Sequence, residues 1–101
     1  MDGTENIVFF GEGLGSKDMT NFADLLLKKG AKRSAVFSKT GEGFAFVLLS
    51  SEKDARAYTD EMKEPFGCKG GGKPDAVQGR VEAKKAELEA FFAEKGFLIA
   101  E

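Results

Sequence analysis

A chain of 101 residues has room for one domain with a real core, and 42% hydrophobic against 32% charged residues excludes a disordered polymer. Fifteen basic residues against seventeen acidic leave a net charge of -2, so a nucleic-acid contact needs a local basic patch and cannot use the whole surface. There is no histidine and one cysteine, Cys68, which excludes an intrachain disulfide and removes the usual zinc ligands.

The lone thiol fits a reducing, cytoplasmic setting. No clustered carboxylate motif such as DxDxD suggests magnesium, so no metal or cofactor is expected. The first residues, Met1-Asp2-Gly3-Thr4-Glu5, lack the basic and apolar regions of a signal peptide. The longest apolar run, residues 44–49, is far too short for a membrane helix, and no membrane partner is expected.

Asn6-Ile7-Val8-Phe9-Phe10 is apolar, β-branched and aromatic, and predicts a buried strand. The loop Gly11-Glu12-Gly13-Leu14-Gly15-Ser16-Lys17 follows. It fails the dinucleotide fingerprint, because Ser16 stands where the third glycine belongs, and it fails the P-loop pattern too; it reads as a turn. Ser16 or Thr20 can cap a helix whose Met19, Phe22, Ala23 and Leu26 fall on one face. Lys28, Lys29 and Gly30 mark its end.

Residues 33–38 predict a second strand and residues 44–49 a third, joined by a short turn over residues 39–43 and hence antiparallel. The unbroken apolar run of the third implies burial on both faces and a central place. Ser51-Glu52-Lys53-Asp54 resembles a capping box, opening a helix with Ala55, Tyr58 and Met62 on one face and Pro65 as its stop. Val77, Gly79 and Val81 alternate with Gln78 and Arg80 in a fourth strand. A last helix spans about 82–95, where Ala83, Ala86, Ala90 and Ala93 form a small-residue strip, joined by Leu88, Phe91 and Phe92 and expected to pack on the sheet, and Lys85 can pair with Glu89. Phe97-Leu98-Ile99 either packs back or adds an edge strand.

The order strand, helix, strand, strand, helix, glycine loop, strand, helix predicts a single α/β domain over residues 1–101. Its mixed sheet has about four strands covered by three helices. Right-handed crossovers make the first two strands parallel, and likewise the third and fourth.

The glycine loop between the second helix and the fourth strand concentrates the unusual chemistry. Gly70-Gly71-Gly72 stands between Lys69 and Lys73, followed by Pro74-Asp75. Glycine lets backbone N–H groups approach a ligand, and successive N–H groups can cradle an anion. A plain flexible loop has the same composition. Between Lys63 and Lys85 there are six basic residues against Glu64, Asp75 and Glu82, a local excess on an acidic chain. Phe66 beside the loop reads as core and not as a base-stacking platform. Cys68 has no general base nearby and reads as a small side chain in a glycine position.

The run Gly67-Cys68-Lys69-Gly70-Gly71-Gly72-Lys73-Pro74-Asp75-Ala76-Val77-Gln78 resembles the glycine-rich signature of the C-terminal domain of alanyl-tRNA synthetase. The same domain occurs in long-form alanyl-tRNA editing proteins and, more loosely, as the DHH-associated domain of some phosphoesterases. The triple glycine, the basic residue before Pro-Asp and the glutamine after it match; Cys68 and Val77 depart from the usual glycine and alanine.

The resemblance implies a tRNA-binding appendage without catalytic residues or metal, with alanine tRNA as partner and the chemistry left to catalytic domains on a parent or partner chain. The expected contact residues are Lys69, Lys73 and Arg80 for charge, Gly70, Gly71 and Gly72 for backbone N–H groups, and Gln78 for a ribose hydroxyl or for pinning the loop. Asp75 is expected to brace the turn. Two alternatives stay open: a substrate-binding lobe for a small phosphorylated ligand or oligonucleotide of a DHH-type phosphoesterase, and a module that forms a homodimer.

Overall fold

The computed structural model describes residues 6–41 and 43–100, and of Ser16 the backbone alone. Residues 1–5, Glu42 of the expected turn and Glu101 lie outside the described residues, and with them the reading of the N-terminus and of Ser16 as a side-chain cap.

Apolar side chains on both faces make Gly43–Ser50 (β3) an inner strand. It pairs antiparallel with Arg33–Thr40 (β2), which lies parallel to Asn6–Glu12 (β1). These three strands match the expectation, including the parallel pairing of β1 and β2 joined through Ser16–Lys28 (α1). Gly15, not Ser16 or Thr20, is the N-cap, without a side-chain hydrogen bond; Gly30, at φ 114°, ends the turn after α1 as expected.

The sheet has six strands, not about four. Lys69–Lys73 (β4), expected as a loop, is an edge strand; Ala76–Val81 (β5) follows; and Leu98–Ala100 (β6) adds the opposite edge, parallel to β1. The order across the sheet is β4-β5-β3-β2-β1-β6. The expected parallel pairing of the third strand with residues 77–81 is corrected: β5 runs antiparallel to β3. The helix Ala55–Phe66 (α2) delivers the chain to β4 instead, and β5 folds back between the two. Since β4 is antiparallel to β5, it runs in the direction of β3, so the crossover ends one strand earlier than the apolar pattern suggests.

Two cores form, one on each face. Met19 and Ala23 of α1 pack on Val36, Val47 and Leu49. On the other face Met62 of α2 and Leu88 and Phe92 of Lys85–Glu94 (α3) cover Phe37, Phe46 and Leu48. Phe37 is fully buried, stacked on Phe10 and Phe46 and edge-on to Phe44 and Phe92. Phe66 packs edge-on to Phe91 and belongs to this core, as expected.

Three local expectations change. The capping box at Ser51 is absent: Asp54 is the N-cap of α2, and its carboxylate is taken by a bidentate bond from Arg33 and a bond from the Ser50 hydroxyl. The Arg33 guanidinium holds the Asp54 carboxyl below the ordinary carboxylate range. Pro65 does not end α2; it sits in the last turn, and Gly67, left-handed at φ 58°, ends the helix after Phe66. Of the expected strip, Ala83, just before α3, is buried in the core with Leu88 and Phe92, and Phe91 packs against it. Ala86, Ala90 and Ala93 are exposed, while Leu88 and Phe92, larger and more apolar, take the buried face. Lys85 and Glu89 approach to 4.0 Å as expected.

Candidate nucleic-acid interface

A strand of the composition Lys-Gly-Gly-Gly-Lys has almost no side chain to bury and poor intrinsic strand preference. It is held by its neighbour. The two-residue turn Pro74-Asp75 joins β4 to β5, and both turn carbonyls are used: Pro74 accepts the Ala55 N–H at 2.9 Å, and Asp75 accepts the Ser50 N–H at 3.0 Å. The first turn of α2 and the end of β3 therefore clamp the hairpin, and the expected bracing by Asp75 comes from its main chain.

The glycines divide into two kinds. A Cβ on Gly70 would meet the Gln78 carbonyl oxygen at 2.6 Å and the Gly79 Cα at 2.9 Å. Gly72 has a positive φ of 150°, and a Cβ there would strike the Ala76 carbonyl. Close strand packing requires these two. A Cβ on Gly71 would meet nothing within 4 Å, and its φ is not in the left-handed range. So close an approach of Gly70 to Gly79 marks the narrow, non-hydrogen-bonded type of antiparallel pair. In that pattern Gly70 and Gly72 turn their N–H and C=O groups outward along the free edge.

The register then sorts the charged residues. Lys69 lies opposite Arg80, Gly71 opposite Gln78, and Lys73 opposite Ala76. Alternation puts Lys69, Gly71, Lys73, Gln78 and Arg80 on one face, the face α1 covers only farther along the sheet. Gly70, Gly72 and Gly79 lie on the face of α2. The hairpin thus has a bare floor at Gly71, Lys69 and Arg80 side by side at one end, and Lys73 at the other. The two lysines are separated by about 13 Å of strand.

All five of these residues are exposed. Among the described residues Lys69, Lys73 and Arg80 form no salt bridge and the Gln78 side chain no hydrogen bond, so Gln78 does not pin the hairpin. Two like charges directly opposite each other weaken a strand pair unless an anion sits near them. Glu82 shares a recess with Gly67, Lys69 and Arg80.

Of the six cations counted along the sequence, Lys63 lies on α2, pairs with Asp60 at 3.1 Å, and lines a small recess on the α2 face with Gly70 and Gly71. Cys68 is buried in the core beneath α2, and burial pushes its thiol pKa up, so Lys69 beside it does not favour a thiolate. Among the described residues no three His, Cys, Asp or Glu side chains group as metal ligands, and no helix is long and apolar enough to cross a membrane.

A mixed α/β sheet with helices on both faces and a clamped, basic glycine hairpin at one edge defines the architecture of a small α/β domain. The chain belongs to the DHHA1 domain family, whose model matches residues 3–95. It is similar to the crystal structure of the C-Ala domain from Aquifex aeolicus alanyl-tRNA synthetase, with 23% sequence identity, a TM-score of 0.70, and 88% of this chain and 86% of that chain covered. A comparison with curated proteins finds no match.

Proposed function

We propose that this domain is a non-catalytic module that holds tRNA for an alanyl-tRNA synthetase or an alanyl-tRNA editing protein, with the catalytic domains on a parent or partner chain. The observation that carries this reading is Gly71. Packing accounts for the glycines on either side of it, but not for this one. An absent side chain on an exposed floor, between unpaired cations, suits close approach by a phosphodiester backbone. Lys69, Lys73 and Arg80 neutralise phosphates, Gly70 and Gly72 offer outward N–H groups, and Gln78 reaches a ribose hydroxyl. RNA is then held by shape and backbone, with little reading of bases. The similarity to the C-Ala domain of an alanyl-tRNA synthetase supports alanine tRNA as the partner.

The test is binding to alanine tRNA and to an unrelated RNA over a salt series. Lys69→Ala with Lys73→Ala is expected to weaken alanine-tRNA binding by about tenfold or more and to flatten the salt slope by about two phosphate contacts. Unchanged affinity in this double variant would sink the hairpin mechanism.

A further inference from the structure

We propose that the RNA track continues past Arg80 and turns the corner of the sheet, through the cleft where β1 and β2 end and α3 begins. The proposal rests on the tRNA reading above and adds residues to it. Arg80 and Glu82 line the recess beside Lys69 and also a larger cleft of about 720 Å³, walled by Thr40, Gly43 and Lys84. That cleft shares Ala83 and Lys84 with a third depression of about 380 Å³, which reaches Lys39 and Lys85 over a floor of Phe10 and Phe44. The three depressions therefore join end to end.

Among the described residues five cations line this path, Lys69, Arg80, Lys84, Lys39 and Lys85, the last also 4.0 Å from Glu89, against the carboxylates Glu12, Glu82 and Glu87. Glu87 is already engaged, since its Oε1 accepts the Lys84 N–H at 3.0 Å. The Lys39 and Lys85 ammonium groups each stand 5.8 Å from a ring centroid, of Phe44 and Phe10, so both charges are held beside aromatic faces at this end of the path.

Thr40 Oγ1, in the cleft wall, is the one buried side-chain oxygen among the described residues without a hydrogen-bond partner. Such groups are uncommon and mark places where water or ligand completes the bonding. The cleft also lies outside the carboxyl ends of the parallel strands β1 and β2, where α/β sheets accept ligands. The cations are strung along a line and do not converge on one point, which fits successive phosphates of a polymer better than a single small anion. Glu12, Glu82 and Glu87 keep the positive excess small, so the expected effect is moderate.

The experiment measures the affinity of the full chain for alanine tRNA across a salt series. Lys39→Gln with Lys84→Gln is expected to weaken binding about five- to tenfold and to reduce the salt slope by about one to two. Lys84→Gln alone leaves the Phe44 ring contact intact and should cost about two- to threefold. Lys28→Gln with Lys29→Gln removes the same charge from exposed positions at the end of α1, at the opposite end of β2 from the cleft, and should stay within twofold.

Wild-type affinity and slope in Lys39→Gln/Lys84→Gln would overturn the proposal, as would an equal loss in the Lys28→Gln/Lys29→Gln pair, which would reduce the effect to net charge. If Lys69→Ala/Lys73→Ala loses binding while the cleft variants do not, the extension alone falls. If the wild-type chain does not bind the RNA, both readings fall.

Discussion

Two antiparallel hairpins share one sheet and are built on opposite principles. In β2–β3 nearly every side chain is buried, and Phe37, Phe46, Val36 and Val47 lock the strands between two helical layers. In β4–β5 the outer strand buries nothing; its five residues are all exposed. The first hairpin is held by side chains, the second by its backbone: Gly70 against Gly79, and the Pro74 and Asp75 carbonyls against α2 and β3. The contrast separates stability from binding. The centre carries the fold and offers no surface, while the edge offers charge and open main chain and adds little to the core.

The largest expected effect lies at the centre. Phe37→Ala removes the ring that touches Phe10, Phe44, Phe46 and Phe92, at full burial. It should cost about 3–5 kcal/mol, enough to unfold much of a marginal domain, measured by urea unfolding. A loss below about 1 kcal/mol would mean that the two hairpins do not divide the work in this way.

Next comes Gly70→Ala. Its methyl would meet the β5 main chain, which can yield only by separating the strands. The expected cost is about 1–3 kcal/mol. It should be seen locally, as faster amide exchange across the β4–β5 hairpin with β2 and β3 still protected.

The same contrast explains what could be read from the sequence. β1, β2, β3 and the faces of α1 and α2 show in the apolar pattern because side-chain burial makes them. β4 does not show, because a Lys-Gly-Gly-Gly-Lys strand has no apolar period and its strand character comes from Gly79 and the clamped turn beyond it. Missing β4 also misdirects the pairing of β5, since the crossover then reads as ending at Val77. The last helix is legible in part for the same reason: Leu88 and Phe92 pack as expected, while the small Ala86, Ala90 and Ala93 grouped with them stay exposed.

At the site, the glycine signature and its flanking cations are legible because they are contiguous. Three features depend on strand pairing and are not: the distinct status of Gly71, the shared face of Lys69 and Arg80, and the nearness of Lys39, far upstream, to Lys84.

Gly71→Ala carries the smallest expected change in stability and the sharpest test of the contrast. The new methyl enters open space at an ordinary φ, so the folded state gains no strain. The unfolded chain loses freedom, and the variant should be more stable by about 0.4–1 kcal/mol. If the bare floor exists for an RNA backbone, the same methyl displaces it, and affinity for alanine tRNA should fall about tenfold, the equivalent of ~1.4 kcal/mol. Stability and binding then move in opposite directions at one residue, next to Gly70, where both should fall together. A Gly71→Ala chain that is more stable and binds RNA as the wild type does would make this glycine a feature of neither packing nor recognition.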